Sequence, residues 1–176
     1  MRLFRKHIKP ADLGSILYEA LRSGMESGGD LSMDAYLKSL NSGTLTEQYA
    51  GEIMVGLMFG GLMAVERSAS PHVADEIIAG MKLGFLQHLE EQGADAIQRA
   101  EWETVVAEHF LDYRHCLENY SGFEPPWKLG RQFYWNLVGI EEHVAILIKI
   151  STLYLLAARD RCQELLNEYG PSILVR

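Results

Sequence analysis

The sequence predicts an all-α fold, a compact helical bundle of five to seven helices in one domain spanning residues 1–176. Three observations carry this expectation. Apolar residues recur at three- and four-residue spacing through most of the chain, caps and glycine or proline stops punctuate it, and no alternating Val, Ile or Thr run lies between turn signals. A chain of 176 residues can build one ordinary core without metal or disulfide support.

The elements follow in order. Leu13, Ile16, Leu17, Ala20, Leu21 and Met25 share one side of a first helix that Gly28 and Gly29 end. Asp30 to Leu40 forms a short second element with Leu31, Tyr36, Leu37 and Leu40 inward, and Asn41 to Gly43 breaks the chain. Thr44 and Glu47 have capping-box spacing at the start of a third helix running to about Ser68. Ser70 and Pro71 supply a cap and a first-position proline for a fourth, with Val73, Ile77, Met81, Gly84, Phe85 and His88 on or near its inner face. Gly93 stops that helix, and Asp95 with Gln98 caps a fifth carrying Trp102, Val105, Val106, His109, Phe110, Tyr113 and Leu117 inward.

Adjacent Pro125 and Pro126 mark residues 120–127 as a proline and aromatic loop. A sixth helix is expected from Trp127 to Val138, with Gly139 as its end or a kink, and a long last helix from Ile140 to Tyr169. Gly170 and Pro171 close it, leaving residues 171–176 as a C-terminal tail.

Sixteen Lys and Arg against 24 Asp and Glu give a formal charge of −8, which disfavours an extensive nucleic-acid interface. Residues 1–10 form a basic N-terminal arm holding Arg2, Arg5, Lys6 and Lys9, either solvated or in contact with an anionic partner or membrane surface. No apolar segment of signal-peptide length follows it. Ile53 to Val65 and Val144 to Ala158 are both shorter than the ~20 residues of a transmembrane span and read as helices buried in protein. Cys116 and Cys162 lie far apart without a CxxC, so a reducing, cytoplasmic setting is expected, with no disulfide scaffold and no cofactor.

Four features are candidates for function. Gly56 and Gly60, four apart and continued by Ala64, leave one strip of the third helix bare, either for close packing of a neighbour or as the lining of an apolar ligand site. A metal reading can be assembled from Glu66 or Glu52 with His88, His109 and Asp112, but no Glu-x-x-His occurs, and the expectation is that no such cluster forms. Eight of the 17 aromatic residues fall between Phe110 and Trp135, and Tyr113, Arg114, Trp127, Arg131 and Trp135 are the recognition candidates among them, the simpler alternative being an aromatic clasp over the 122–126 loop. Phe133, Tyr134 and Trp135 are consecutive, so at least one should face a loop, pocket or partner. Ile146, Leu153 and Leu156 lie on the side of the last helix opposite its main apolar stripe and are candidates for an oligomer interface.

The chemistry of hydrolases finds no support, because no Gly-x-Ser-x-Gly, His-Glu-x-x-His or phosphate loop is present, and Glu142 and His143 point about 100 degrees apart on a helix. The sequence therefore reads as a non-enzymatic helical interaction protein that homodimerises and binds a protein partner. The alternative is a small-molecule-binding or metal-dependent enzyme with its site between the third, fourth and fifth helices.

Overall fold

The computed structural model describes residues 8–27, 29–40, 47–119, 122, 124–139 and 144–169, and within them seven α-helices pack as an all-α bundle. They are α1 (Pro10–Ser27), α2 (Met33–Ser39), α3 (Glu47–Ser68), α4 (Pro71–Glu91), α5 (Ala96–Glu118), α6 (Glu124–Val138) and α7 (Ala145–Tyr169). The apolar circumference of α3 decides the arrangement. A helix hydrophobic all round needs neighbours on every side, and α3 touches α1, α4, α5, α6 and α7. Its stretch from Tyr49 to Ser68 has the length and mean hydropathy (1.3) of a membrane span, yet most of it is buried inside the bundle.

The remaining helices pack in pairs around that centre. α1 lies most extensively against α4, where a Cβ on Gly14 would stand 2.0 Å from the Ile77 carbonyl oxygen and one on Gly80 would stand 2.1 Å from that of Ala11. Each backbone thus fills the space that the other helix's missing side chain leaves. α6 packs on α7 and α5, and α2 is tied to α7 by its aromatic residue. The Tyr36 ring stacks on Tyr154 at 4.2 Å and nearly parallel, its hydroxyl shares a 2.8 Å hydrogen bond with Ser151, and the Tyr154 hydroxyl donates to the Leu31 carbonyl at 2.6 Å. Burial pushes both phenols well above their ordinary range, so they remain neutral hydrogen-bonding groups.

Most local signals in the sequence operate as expected. Asp95 accepts from the Ile97 and Gln98 amides while Gln98 reaches back to the Asp95 amide, a complete capping box. Gly139 adopts φ +69 and ends α6 rather than kinking it. Three expectations need correction. The loop expected over residues 120–127 is shorter, because α6 begins at Glu124 and takes Pro125 and Pro126 into its first turn, where backbone amides have no helical partner to lose. Ser70 precedes α4 in extended conformation but its hydroxyl makes no cap hydrogen bond; only its carbonyl serves, accepting from Ala74. The long last helix begins at Ala145, Val144 before it being non-helical, and residues 140–143, with Glu142 and His143, lie outside the described residues. So do residues 1–7 of the basic arm, the Thr44 cap, and the tail from Gly170.

Candidate functional site

The outward side of α7 is the most exposed of the sequence-predicted sites. Ile148, Ser151, Leu155, Ala158 and Cys162 turn inward, and the helical period that buries them turns Ile146 and Leu153 to solvent at 59% and 55% exposure. Ile150 and Ala157, half-buried, continue the same stripe at four-residue spacing, and exposed Lys149 and half-buried Leu156 flank it. Leu153 and Leu156 also wall a groove of about 700 Å³ between α7 and α1. Its other wall is built of small residues, Ala20, Ser23 and Gly24, and its C-terminal part carries Arg159, Asp160, Arg161 and Glu164. Those charges are mutually satisfied, Arg159 donating to Asp160 at 2.6 Å and Arg161 to Glu164 at 3.3 Å. The apolar stripe thus runs beside an open groove, whose lining also includes Ser27, Asp30 and Leu31.

The glycine strip of α3 is filled by protein. A Cβ on Gly56 would meet the Phe133 ring at 2.3 Å, and one on Gly60 would meet the Leu155 carbonyl oxygen at 2.7 Å and Ala158 at 2.9 Å. The strip therefore receives an aromatic ring from α6 and the backbone of α7, and neither glycine faces a cavity found among the described residues.

The residues of the metal reading are dispersed among other partners. Glu66 pairs with Arg114. His88 lies near Glu91 and meets the Gln92 amide through Nε2 at 3.1 Å. Asp112 is exposed. His109, on α5, approaches Glu52, on α3, with Nδ1 to Oε2 at 3.1 Å and side chains only 17% and 10% exposed. That distance is an ion-pair distance, but the imidazole is not aligned for a hydrogen bond, and neither atom has another hydrogen-bond partner among the described residues. Among the described residues no group of three or more His, Cys, Asp or Glu side chains is placed to hold a metal ion. The Glu52 and His109 contact spans 57 positions, and nothing local in the sequence singles that pair out from the other carboxylates and histidines.

The aromatic candidates divide between core and surface. Tyr113 is fully buried against Phe59, with its hydroxyl accepting from Asn136 at 3.2 Å, and burial pushes its phenol far up. It is a core residue rather than an exposed recognition group. Phe133 and Tyr134 are buried too, while Trp135 is half-buried with the Arg131 guanidinium 4.5 Å above its ring. Trp127 is exposed near the start of α6. Tyr120 and Phe123 fall outside the described residues. Cys116 and Cys162 are buried free thiols, and burial pushes Cys162 up to about 12, which keeps it protonated and unreactive near neutral pH. Comparison of the chain with protein families, with curated proteins and with solved structures yields no match in any of the three.

Proposed function

We propose that the protein is a non-enzymatic helical interaction protein, which forms a two-fold homodimer through the outward face of α7 and binds a protein partner in a cytoplasmic setting. The observation that supports this reading is the α7 stripe, with Ile146 and Leu153 exposed at 59% and 55% on one face. Single exposed leucines need no explanation, whereas a stripe about three turns long beside an open groove is a helix-sized interface. Two-fold symmetry is the simplest closed arrangement of one such face on itself, and Lys149 can lay its alkyl stem over the apolar surface while its ammonium stays wet. The apolar tail residues Ile173 to Val175 lie outside the described residues.

Light scattering over a concentration series tests the proposal. The unaltered chain, 19.8 kDa as a monomer, should weigh twice that, and Leu153→Glu should return it to monomer with helical content intact. A monomer at high concentration rejects the dimer. The enzyme alternative has one observation in its favour, the largely buried Glu52 and His109 pair between α3 and α5. Stoichiometric iron, manganese or zinc in protein purified without chelator, lost on changing His109 and Glu52 together, would move the function to that site.

A further inference from the structure

A second apolar surface lies on α5, a helix the dimer reading does not use. Ile97 and Leu111 are the most exposed large hydrophobic side chains described, at 71% and 68%. Between them, at alternating three- and four-residue spacing, stand exposed Ala100, Thr104 and Ala107, so the five positions form one stripe about 21 Å long. Ala96 and Ala100 also face Leu83 and Leu86 of α4 across a groove of about 380 Å³, which widens the stripe at its N-terminal end. Leu83 is itself 53% exposed.

The unpaired acidic and basic side chains of α5 that flank this stripe are all carboxylates, since Arg114, on the Glu103 side, is held by Glu66. Glu101, Glu108 and Asp112 run along one edge and Glu103 lies on the other, all exposed and none in an ion pair among the described residues. The nearby Glu90, by contrast, is taken by Arg99 at 2.7 Å. We propose that this face of α5, with its groove against α4, binds an amphipathic helix of a protein partner whose apolar stripe is flanked by Lys and Arg. The short side chains at its middle let a second helix approach closely, the larger ones at its ends anchor it, and the carboxylate edges supply attraction to a cationic rim. A second copy of the same face would instead bring carboxylate against carboxylate, and a lipid surface would strip water from four carboxylates without supplying cations. The occupant is therefore a basic helix, recognised as an apolar face laid into a groove. This proposal goes beyond the α7 reading and stands whether or not the chain dimerises.

A fluorescent 18-residue helical peptide with a leucine stripe and flanking lysines, titrated with the full chain and followed by anisotropy, tests it against a counterpart carrying glutamates in place of the lysines. The lysine peptide should bind saturably and weaken as salt rises, and the glutamate peptide should not bind. Replacing Ile97→Ser and Leu111→Ser together should weaken the lysine peptide by roughly tenfold or more. Glu101→Lys with Glu108→Lys, both fully surface changes, should reverse the preference toward the glutamate peptide. Leu153→Glu should leave binding unaltered, which separates this face from α7. Absence of saturable binding, equal binding of both peptides, indifference to both pairs of substitutions, or displacement of the peptide by zwitterionic vesicles would each overturn the proposal.

Discussion

α3 and α5 have nearly the same length, 22 and 23 residues, and opposite surroundings. From Ile53 to Val65 the α3 side chains are almost all buried, whereas α5 buries only Val106, Phe110, Tyr113 and Cys116 and turns most of its remaining circumference to water. Composition matches position. The charged residues of α3 stand near its ends, at Glu47, Glu52, Glu66 and Arg67, while α5 carries them along its whole length. The two helices meet through Phe59, which packs on Phe110 and Tyr113 at 5.4 and 5.0 Å, and through the Glu52 and His109 contact. The contrast teaches that the apolar residues of α3 and α5 carry different information. On α3 they report what holds the bundle together; on α5 the outward ones, Ile97 and Leu111, stand exposed and add little to the described core.

Among changes on the α3 strip, Gly60→Leu should have the largest effect, because it sets a side chain against the backbone of α7. Its Cβ would fall 2.7 Å from a backbone oxygen of α7, so relief requires one helix to move rather than one side chain to rotate. Denaturant titration should show a loss of about 3 kcal/mol, the upper part of the overpacking range. Gly56→Leu should cost roughly 1–3 kcal/mol, through the buried Phe133 ring. Unchanged stability together with loss of binding of a small apolar probe would break the comparison, since the strip of α3 would then line a ligand site.

An intermediate effect is expected where the two helices meet. His109→Ala leaves the Glu52 carboxylate largely buried without its cationic or polar partner, which should cost about 2 kcal/mol in the same titration. Converting both, Glu52→Leu with His109→Leu, should restore most of that stability, because paired replacement by apolar groups removes the desolvation of both polar partners. Failure of the double change to recover what the single one loses would mean that the pair does more than bridge α3 to α5.

How far these features could be read from the sequence depends on the range of the interaction behind them. The seven helices and the capping box at Asp95 and Gln98 rest on residues within one or two turns of each other, and periodicity shows them directly. Pro125 and Pro126 misled because proline reports a missing amide, and a helix start needs none in its first turn. The stacking of Tyr36 on Tyr154 and the pairing of Arg114 with Glu66 join residues 118 and 48 positions apart, so their inward or outward spacing is visible but their partners are not. Ile97 and Leu111 were legible in principle, as apolar residues on the face of α5 opposite Val106, Phe110 and Tyr113. Attention to the inward stripe alone passes them over.

The smallest expected effect is the sharpest test of the contrast, because it sets two adjacent residues of α5 against each other. Phe110 is 6% exposed and packs on Phe59, while Leu111 is 68% exposed. Phe110→Ala should cost about 3–5 kcal/mol, the ordinary loss for a core aromatic residue. Leu111→Ala removes little buried area, and alanine is at least as good a helix former as leucine, so stability should change by about 0.5 kcal/mol or less in either direction. A loss well above 1 kcal/mol would mean that Leu111 is covered in the folded chain. Repeating the titration at two protein concentrations would then show what covers it. A loss that grows with concentration places Leu111 in contact with a second copy, and one independent of concentration places it under another part of the same chain.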